Sequence, residues 1–173
     1  MRAQPQGRVA ASGDAAASAP LHLVLVEPLI PPNTGNVARL CAATGCALHL
    51  VEPLGFSIDD RELKRAGLDY WEHVTVVVHR SLDDFLTAFS PERLWCVETS
   101  AKRRYDEAPY RFGDALLFGS ETKGLPNALL ERDPERVVGI PMREGTVRSL
   151  NLSTTVGIVA YAALARLGFP SLR

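Results

Sequence analysis

The sequence predicts an α/β fold, a mostly parallel sheet with helices on both faces. Two observations carry that prediction. Short apolar runs recur along the chain and read as buried strands, and the segments between them repeat their apolar residues at helical spacing. Strands alternating with helices need crossover connections, which are right-handed and lay the strands parallel. At 173 residues with 46% hydrophobic content, the chain is long enough for one domain with a real core.

The elements follow in order. Leu21–Val26 (LHLVLV) is the first strand, and Asn33–Thr44 (NTGNVARLCAAT) a helix closed by Gly45. Ala47–Val51 is the second strand, Asp59–Ala66 a short charged helix, and Val74–Val78 the third strand. Ser81 caps a helix over LDDFLTAF, and the chain returns as strands at Leu94–Val97 and Ala115–Phe118. A short helix at Asn127–Arg132 precedes the closing strand, Val137–Ile140, which Pro141 ends because proline cannot donate to a sheet ladder. The last helix opens at Asn151 or Ser153, either of which can cap it, and runs to Leu167 with Gly168 at its left-handed end. That helix is apolar on more than one side. Gly157, Ala160, Ala162, Ala163 and Ala165 are small enough to admit a close partner, so a second surface, such as another subunit, is expected against it. Asn151, Ser153, Thr154, Thr155 and Arg166 exclude a membrane span.

Residues 1–20 are rich in Ala, Gly, Ser and Pro without the apolar block of a signal peptide, and are expected to be a disordered extension to a domain spanning 21–173. Charge is balanced at 19 basic against 20 acidic side chains, so any nucleic-acid partner must be met by a local patch. Cys41, Cys46 and Cys96 lack disulfide or zinc spacing and read as core thiols of a reducing cytoplasm. His22, His49 and His79 lie in or beside strands and His73 precedes one, so all four read as structural. No metal cluster and no GxSxG element is apparent.

Three stretches are able to carry chemistry. In PPNTGNVAR (31–39), Asn33, Asn36 and Arg39 are spaced by three and are expected to share one helix face. An arginine so near a helix start opposes the macrodipole, which points to a ligand or phosphate role. In LLFGSETKGLP (116–126), a strand runs into a loop with glycines five apart, a carboxylate and a lysine. It matches neither GxGxxG nor the P-loop, because Leu125 stands where the P-loop lysine belongs. In the 143–151 loop, two arginines, a serine and an asparagine crowd a strand-to-helix junction, where ligand sites of α/β proteins lie.

Together these stretches resemble the TrmL (YibK-like) tRNA 2′-O-methyltransferases of the SPOUT class. The resemblance rests on PNTGNVARL at 32–40, FGSETKGLP at 118–126, IPMREGTVRSLNLS at 140–153, and EPLGFSIDDRELKRAGLDYW at 52–71, and covers about 21 to 170. The chain departs from the family pattern in a 143–149 loop one residue longer and in Ser120 where proline is frequent.

The resemblance implies a C-terminal trefoil knot, a rare exception to unknotted topology. It implies S-adenosylmethionine held by Val97, Glu98, Thr99, Gly119, Ile140, Met142, Ser149 and Leu150, with Gly119 leaving room for the adenosine and no metal needed. Arg39 is implied as activator of the ribose 2′-hydroxyl against an RNA phosphate, with Asn36, Glu121, Arg148 and Asn151 shaping the pocket. The implied enzyme is a cytoplasmic homodimer acting on the tRNA anticodon stem-loop at wobble nucleotide 34, cytidine or uridine. The alternatives are a relative acting on ribosomal RNA and a non-catalytic protein that binds RNA or the cofactor.

Overall fold

The computed structural model describes residues 14–58 and 71–173, so the helix expected at Asp59–Ala66 lies outside the described residues. Seven strands form one sheet in the order β3-β2-β1-β6-β4-β7-β5. They are β1 (Leu21–Val26), β2 (Ala47–Val51), β3 (Val76–His79), β4 (Leu94–Val97), β5 (Arg103–Arg104), β6 (Asp114–Phe118) and β7 (Val137–Gly139). Every pairing between them is parallel. The central strands β1, β2, β4 and β6 are buried along their whole length, which is why they read as apolar runs and not as alternating ones.

The helices are α1 (Asp14–Ala17), α2 (Pro31–Thr44), α3 (Leu82–Thr87), α4 (Asn127–Arg132) and α5 (Leu152–Arg166). Leu21, Leu23 and Leu25 of β1 with Leu116 and Phe118 of β6 face α2 and α5, which supply Val37, Cys41, Val156, Val159 and Leu164. Val24 and Val26 with Ala115 and Leu117 face the other way, onto Phe85 of α3 and Leu129 of α4. Both faces are thus covered. At roughly 2 kcal/mol per fully buried large aliphatic side chain, these two layers supply most of the driving force for folding.

Several boundaries differ from expectation for local reasons. Just before β1, Ala19 is buried, and Pro20 accepts a 2.8 Å hydrogen bond from Gly113 N–H. β3 begins late because Val74 closes a 3₁₀ turn, its N–H donating to Trp71 O. α3 stops at Thr87, and Ser81 caps it as expected, accepting from Asp84 N–H. α2 starts at Pro31, whose fixed φ suits a first turn. Of the small residues on α5, Ala160 and Ala163 pack inward, while Gly157, Ala162 and Ala165 are left on the outer side with Tyr161.

β5 has no apolar signature, and its position is informative. β7 pairs with β4 on one side and β5 on the other, although β4 and β5 are joined by residues 98–102 alone. That short link therefore passes across the C-terminal end of β7. Gly139 lies beneath it, where a Cβ would fall 2.8 Å from Glu98 O and 3.1 Å from Ala101 Cβ.

Two buried polar groupings complete the core. His22 Nδ1 lies 2.9 Å from His49 Nε2, and His49 Nδ1 lies 2.9 Å from His79 Nε2, forming a chain of imidazoles across three strands beside Phe85 and Phe89. Burial, followed by the charge of Arg93, pushes His22 down to about 4. Burial, followed by its two histidine neighbours, pushes His49 to about 3. Asp114, at the start of β6, accepts from Trp95 Nε1 (2.9 Å) and Arg111 N–H (2.8 Å). Its other oxygen lies 2.8 Å from Arg93 Nε, close enough for an ion pair but off line for a hydrogen bond. The three cysteines are buried and unpaired, as core thiols should be. No helix among the described residues is long and apolar enough to cross a membrane.

Candidate active site

The C-terminal ends of β4, β6 and β7 and the start of α5 surround a cavity of about 790 Å³. It lies where a parallel sheet gathers its loops. Val97, Glu98 and Thr99 reach it from β4, Gly119 and Glu121 from β6, Ile140 and Met142 from β7, and Arg148 to Asn151 from the approach to α5. Eleven of the thirteen residues expected at the site therefore line one cavity.

The other two do not. Asn36 and Arg39 are exposed on α2 and are absent from the cavity wall, whereas Asn33 is buried and part of it. The expectation of one shared face fails on helix geometry. A step of three residues falls short of the 3.6-residue turn by about 60°, so two steps rotate Arg39 about 120° away from Asn33.

Asn33 is the hub of the site. α2 begins at Ile30, whose side chain has no oxygen to cap the helix. Glu121 fixes the chain's entry into the helix, its carboxylate accepting from Leu29 N–H (2.8 Å), Ile30 N–H (3.1 Å) and Asn33 Nδ2 (3.1 Å). A carboxylate at a helix N-terminus also meets the positive end of the macrodipole. Asn33 Oδ1 accepts from Asn151 Nδ2 at 2.9 Å. Asn151 Oδ1 in turn caps α5, accepting from Ser153 N–H (2.9 Å) and Thr154 N–H (3.3 Å). Each amide thus has its orientation fixed by its partners. One chain of hydrogen bonds joins all three of the loops singled out in the sequence.

The 119–125 loop is held from its other side. Glu98 accepts from Thr99 N–H (2.9 Å) and Leu125 N–H (3.3 Å). Gly124 N–H donates to Ser120 O at 3.1 Å, folding the loop back on itself. Gly119 sits inside that fold: a Cβ there would lie 2.0 Å from Gly124 C and 2.3 Å from Leu125 N. The protein's own backbone therefore already requires glycine here, beside the room for a ligand that the resemblance implies. Among the described residues, no group of three or more His, Cys, Asp or Glu side chains is placed to hold a metal ion.

A parallel sheet, a strand inserted between two strands linked by five residues, and three loops tied around one cavity define a class of protein. Residues 20–161 match the model of the SpoU rRNA Methylase family, and the chain belongs to that family. Within it, the chain is 49% identical over 149 residues to a tRNA (cytidine(34)-2′-O)-methyltransferase of Saccharophagus degradans, covering 86% of this chain and 96% of that one. It is 48% identical over 151 residues to the protein of the same name from Escherichia coli K12, at 87% and 96% coverage. A solved protein described as giving structural insights into the 2-OH methylation of C/U34 on tRNA superposes with a TM-score of 0.79 at 49% identity, over 86% of this chain and 96% of that one.

Proposed function

We propose that the protein is an S-adenosylmethionine-dependent methyltransferase that modifies the ribose 2′-hydroxyl of nucleotide 34 in the tRNA anticodon stem-loop, as a cytoplasmic homodimer. The observation that carries this reading is the Glu121–Asn33–Asn151 hydrogen-bond chain, which closes the three loops around one cavity. The end-to-end similarity to tRNA (cytidine(34)-2′-O)-methyltransferases supports the substrate.

The cavity fits the cofactor. Its volume, about 790 Å³, is that of a small-molecule site, and its wall joins strand-end backbone to the apolar side chains of Ile140 and Leu150. S-Adenosylmethionine supplies a methyl group on a sulfonium, which the 2′-oxygen attacks in line. The chain's own groups bind and orient. Arg148, Ser149 and Asn151 line the wall on the α5 side and position the ribose there. Glu121 and Asn33 hold the loops at the spacing that attack requires, since misplacement by an ångström costs orders of magnitude in rate.

Arg39 enters this reading through dimerisation. The outer side of α5 carries Gly157, over which a Cβ would meet nothing within 4 Å, and Tyr161, 46% exposed. α2 packs beside α5, so a second copy covering that side would also meet α2 and bring it toward the cavity of the other protomer. There Arg39 is set against an RNA phosphate. The insertion of β7 between β4 and β5 supports the trefoil knot that the same reading implies.

The test is methyl transfer from radiolabelled cofactor to total RNA from cells lacking the protein, followed by mapping of ribose methylation. Label at nucleotide 34 is the expected result. Label confined to ribosomal RNA, or cofactor binding without transfer to any RNA, overturns the proposal.

A further inference from the structure

A second, smaller cavity of about 220 Å³ lies beside the first, between the C-terminal ends of β1 and β6. It is lined by Val26, Glu27, Ser120, Lys123, Leu125 and the Gly124 backbone, and it shares Ser120, Lys123 and Gly124 with the larger cavity. Its position in the sheet is distinctive. From β1 the chain builds outward through β2 and β3 on one side, and through β6, β4, β7 and β5 on the other. The crevice between β1 and β6 is therefore the place where strand order reverses, and open α/β sheets take ligands at that point.

Glu27 marks the same spot independently. Its φ is 51°, in the left-handed region that side chains avoid, while its N–H donates to Val51 O at 2.9 Å. A non-glycine residue held there is strained, and such strain persists where the surroundings over-determine it, characteristically at ligand sites. The cavity thus has an acidic and a basic residue, Glu27 and Lys123, in its lining. Its volume is that of about seven waters at ~30 Å³ each, on the order of a single pyrimidine ring.

We propose that this cavity is the base subsite for the nucleotide being methylated, with Glu27 accepting from the exocyclic amino group of a cytosine and Lys123 donating to the acceptors on the same edge. The inference rests on the reading of the protein as a ribose methyltransferase, and it adds the residues that set base preference. The chemistry is asymmetric between the two pyrimidines. Cytosine offers Glu27 a donor, the pairing by which carboxylates read cytosine elsewhere. Uracil offers it a carbonyl oxygen, which meets the carboxylate with like partial charge. Lys123, a donor only, accommodates an acceptor on either ring. Glu27 is thus the discriminating group and Lys123 the tolerant one. Ser120, Lys123 and Gly124 border both cavities, so a nucleotide with its ribose in the larger and its base in the smaller would straddle that loop.

The experiment compares two anticodon stem-loops that differ only in carrying cytidine or uridine at position 34, in single-turnover methyl transfer. The wild type favours cytidine. Glu27→Gln, whose amide presents either an oxygen or an NH₂, lowers the cytidine-to-uridine rate ratio about tenfold, with cofactor affinity by calorimetry within twofold of wild type. Glu27→Gly relieves the backbone and lowers the ratio as well, while its Tm rises by a few degrees. That pairing of higher stability with lost discrimination is not produced by a purely structural glutamate. A ratio unchanged within twofold in both active variants overturns the base subsite and leaves the methyltransferase reading standing. Failure of the wild type to methylate either hairpin overturns both.

Discussion

Replacing Asn33 with aspartate tests the hub of the site with almost no change of shape. The oxygen that accepts from Asn151 Nδ2 is retained, but the donor aimed at Glu121 becomes a second carboxylate oxygen 3.1 Å from the first. Two unit charges at such a distance repel by about 5 kcal/mol at an effective dielectric of ~20. Proton uptake sets a similar ceiling: holding a carboxyl with an ordinary pKa near 4 protonated at pH 7 costs about 4 kcal/mol. The expected loss of stability at pH 7 is therefore about 2–4 kcal/mol, the lower end allowing for solvent access to Glu121. The sign with pH follows. The folded variant binds a proton more tightly than its unfolded chain, so the penalty is small below pH ~4 and grows as pH rises toward neutrality. Urea unfolding of wild type and variant from pH 4 to 8 measures the difference directly. Methyl transfer should fall with it, because the loops around the cavity lose their tie. A variant that loses under ~0.5 kcal/mol at pH 7, with no pH dependence, would show that the Glu121–Asn33 contact does not hold the site.

Other substitutions separate the remaining claims. Gly119→Val should lower Tm and cofactor affinity together, since its side chain meets the Gly124–Leu125 backbone at 2.0–2.3 Å; lost affinity in a fully stable variant would return the requirement to the ligand. Asp114→Asn should destabilise by about 2–4 kcal/mol in urea unfolding, because Arg93, about a third exposed, loses its ion-pair partner while Trp95 keeps an acceptor. The buried imidazoles titrate below their unfolded value near 6.5, so the unfolded chain binds more protons between pH ~6.5 and ~4. Stability should be complete above that window and fall as pH drops through it, by up to ~2.7 kcal/mol per pH unit for two histidines, and His22→Asn should flatten the slope. Arg39→Lys should keep cofactor binding yet lose on the order of 10²-fold in single-turnover methyl transfer, because lysine cannot reproduce a bidentate fork; a near-normal rate would remove Arg39 from the chemistry.

What the sequence made legible was whatever depends on local periodicity. The strands β1, β2 and β4 and the helix α4 fall where their apolar runs and turn residues put them. β5 was invisible for the complementary reason. Two arginines carry no apolar period, and they form a strand only because β7 arrives beside them from later in the chain. The site was legible as a set of loops but not as a set of contacts. Asn36 came from the family resemblance, while the spacing of three grouped Asn33, Asn36 and Arg39 without resolving a rotation of 60° per step. Ala163 looked available to a partner helix, yet it is fully buried against the sheet, so Gly157 is the usable probe of the outer side of α5. The small cavity beneath Glu27 had no sequence signature, since a left-handed φ is invited by glycine or asparagine and not by glutamate.

The groups that form the site also hold the starts of its helices. Glu121, 91 residues away in sequence, holds the entry to α2 by accepting from the N–H of Ile30, the residue before the helix. Asn151 caps α5 with its oxygen and spends its remaining N–H on Asn33, 118 residues away. A cap is worth about 1 kcal/mol, and a hydrogen bond to a carboxylate ~1.5–3. Removing any member therefore loosens a helix end and a cavity wall at once. Stability and catalysis are coupled at Glu121, Asn33 and Asn151, and a fall in rate there cannot by itself be assigned to chemistry. Arg39 and Glu27 lie outside that chain. Substitutions there leave the Glu121–Asn33–Asn151 tie in place, so the catalytic and base-reading assignments are decided there.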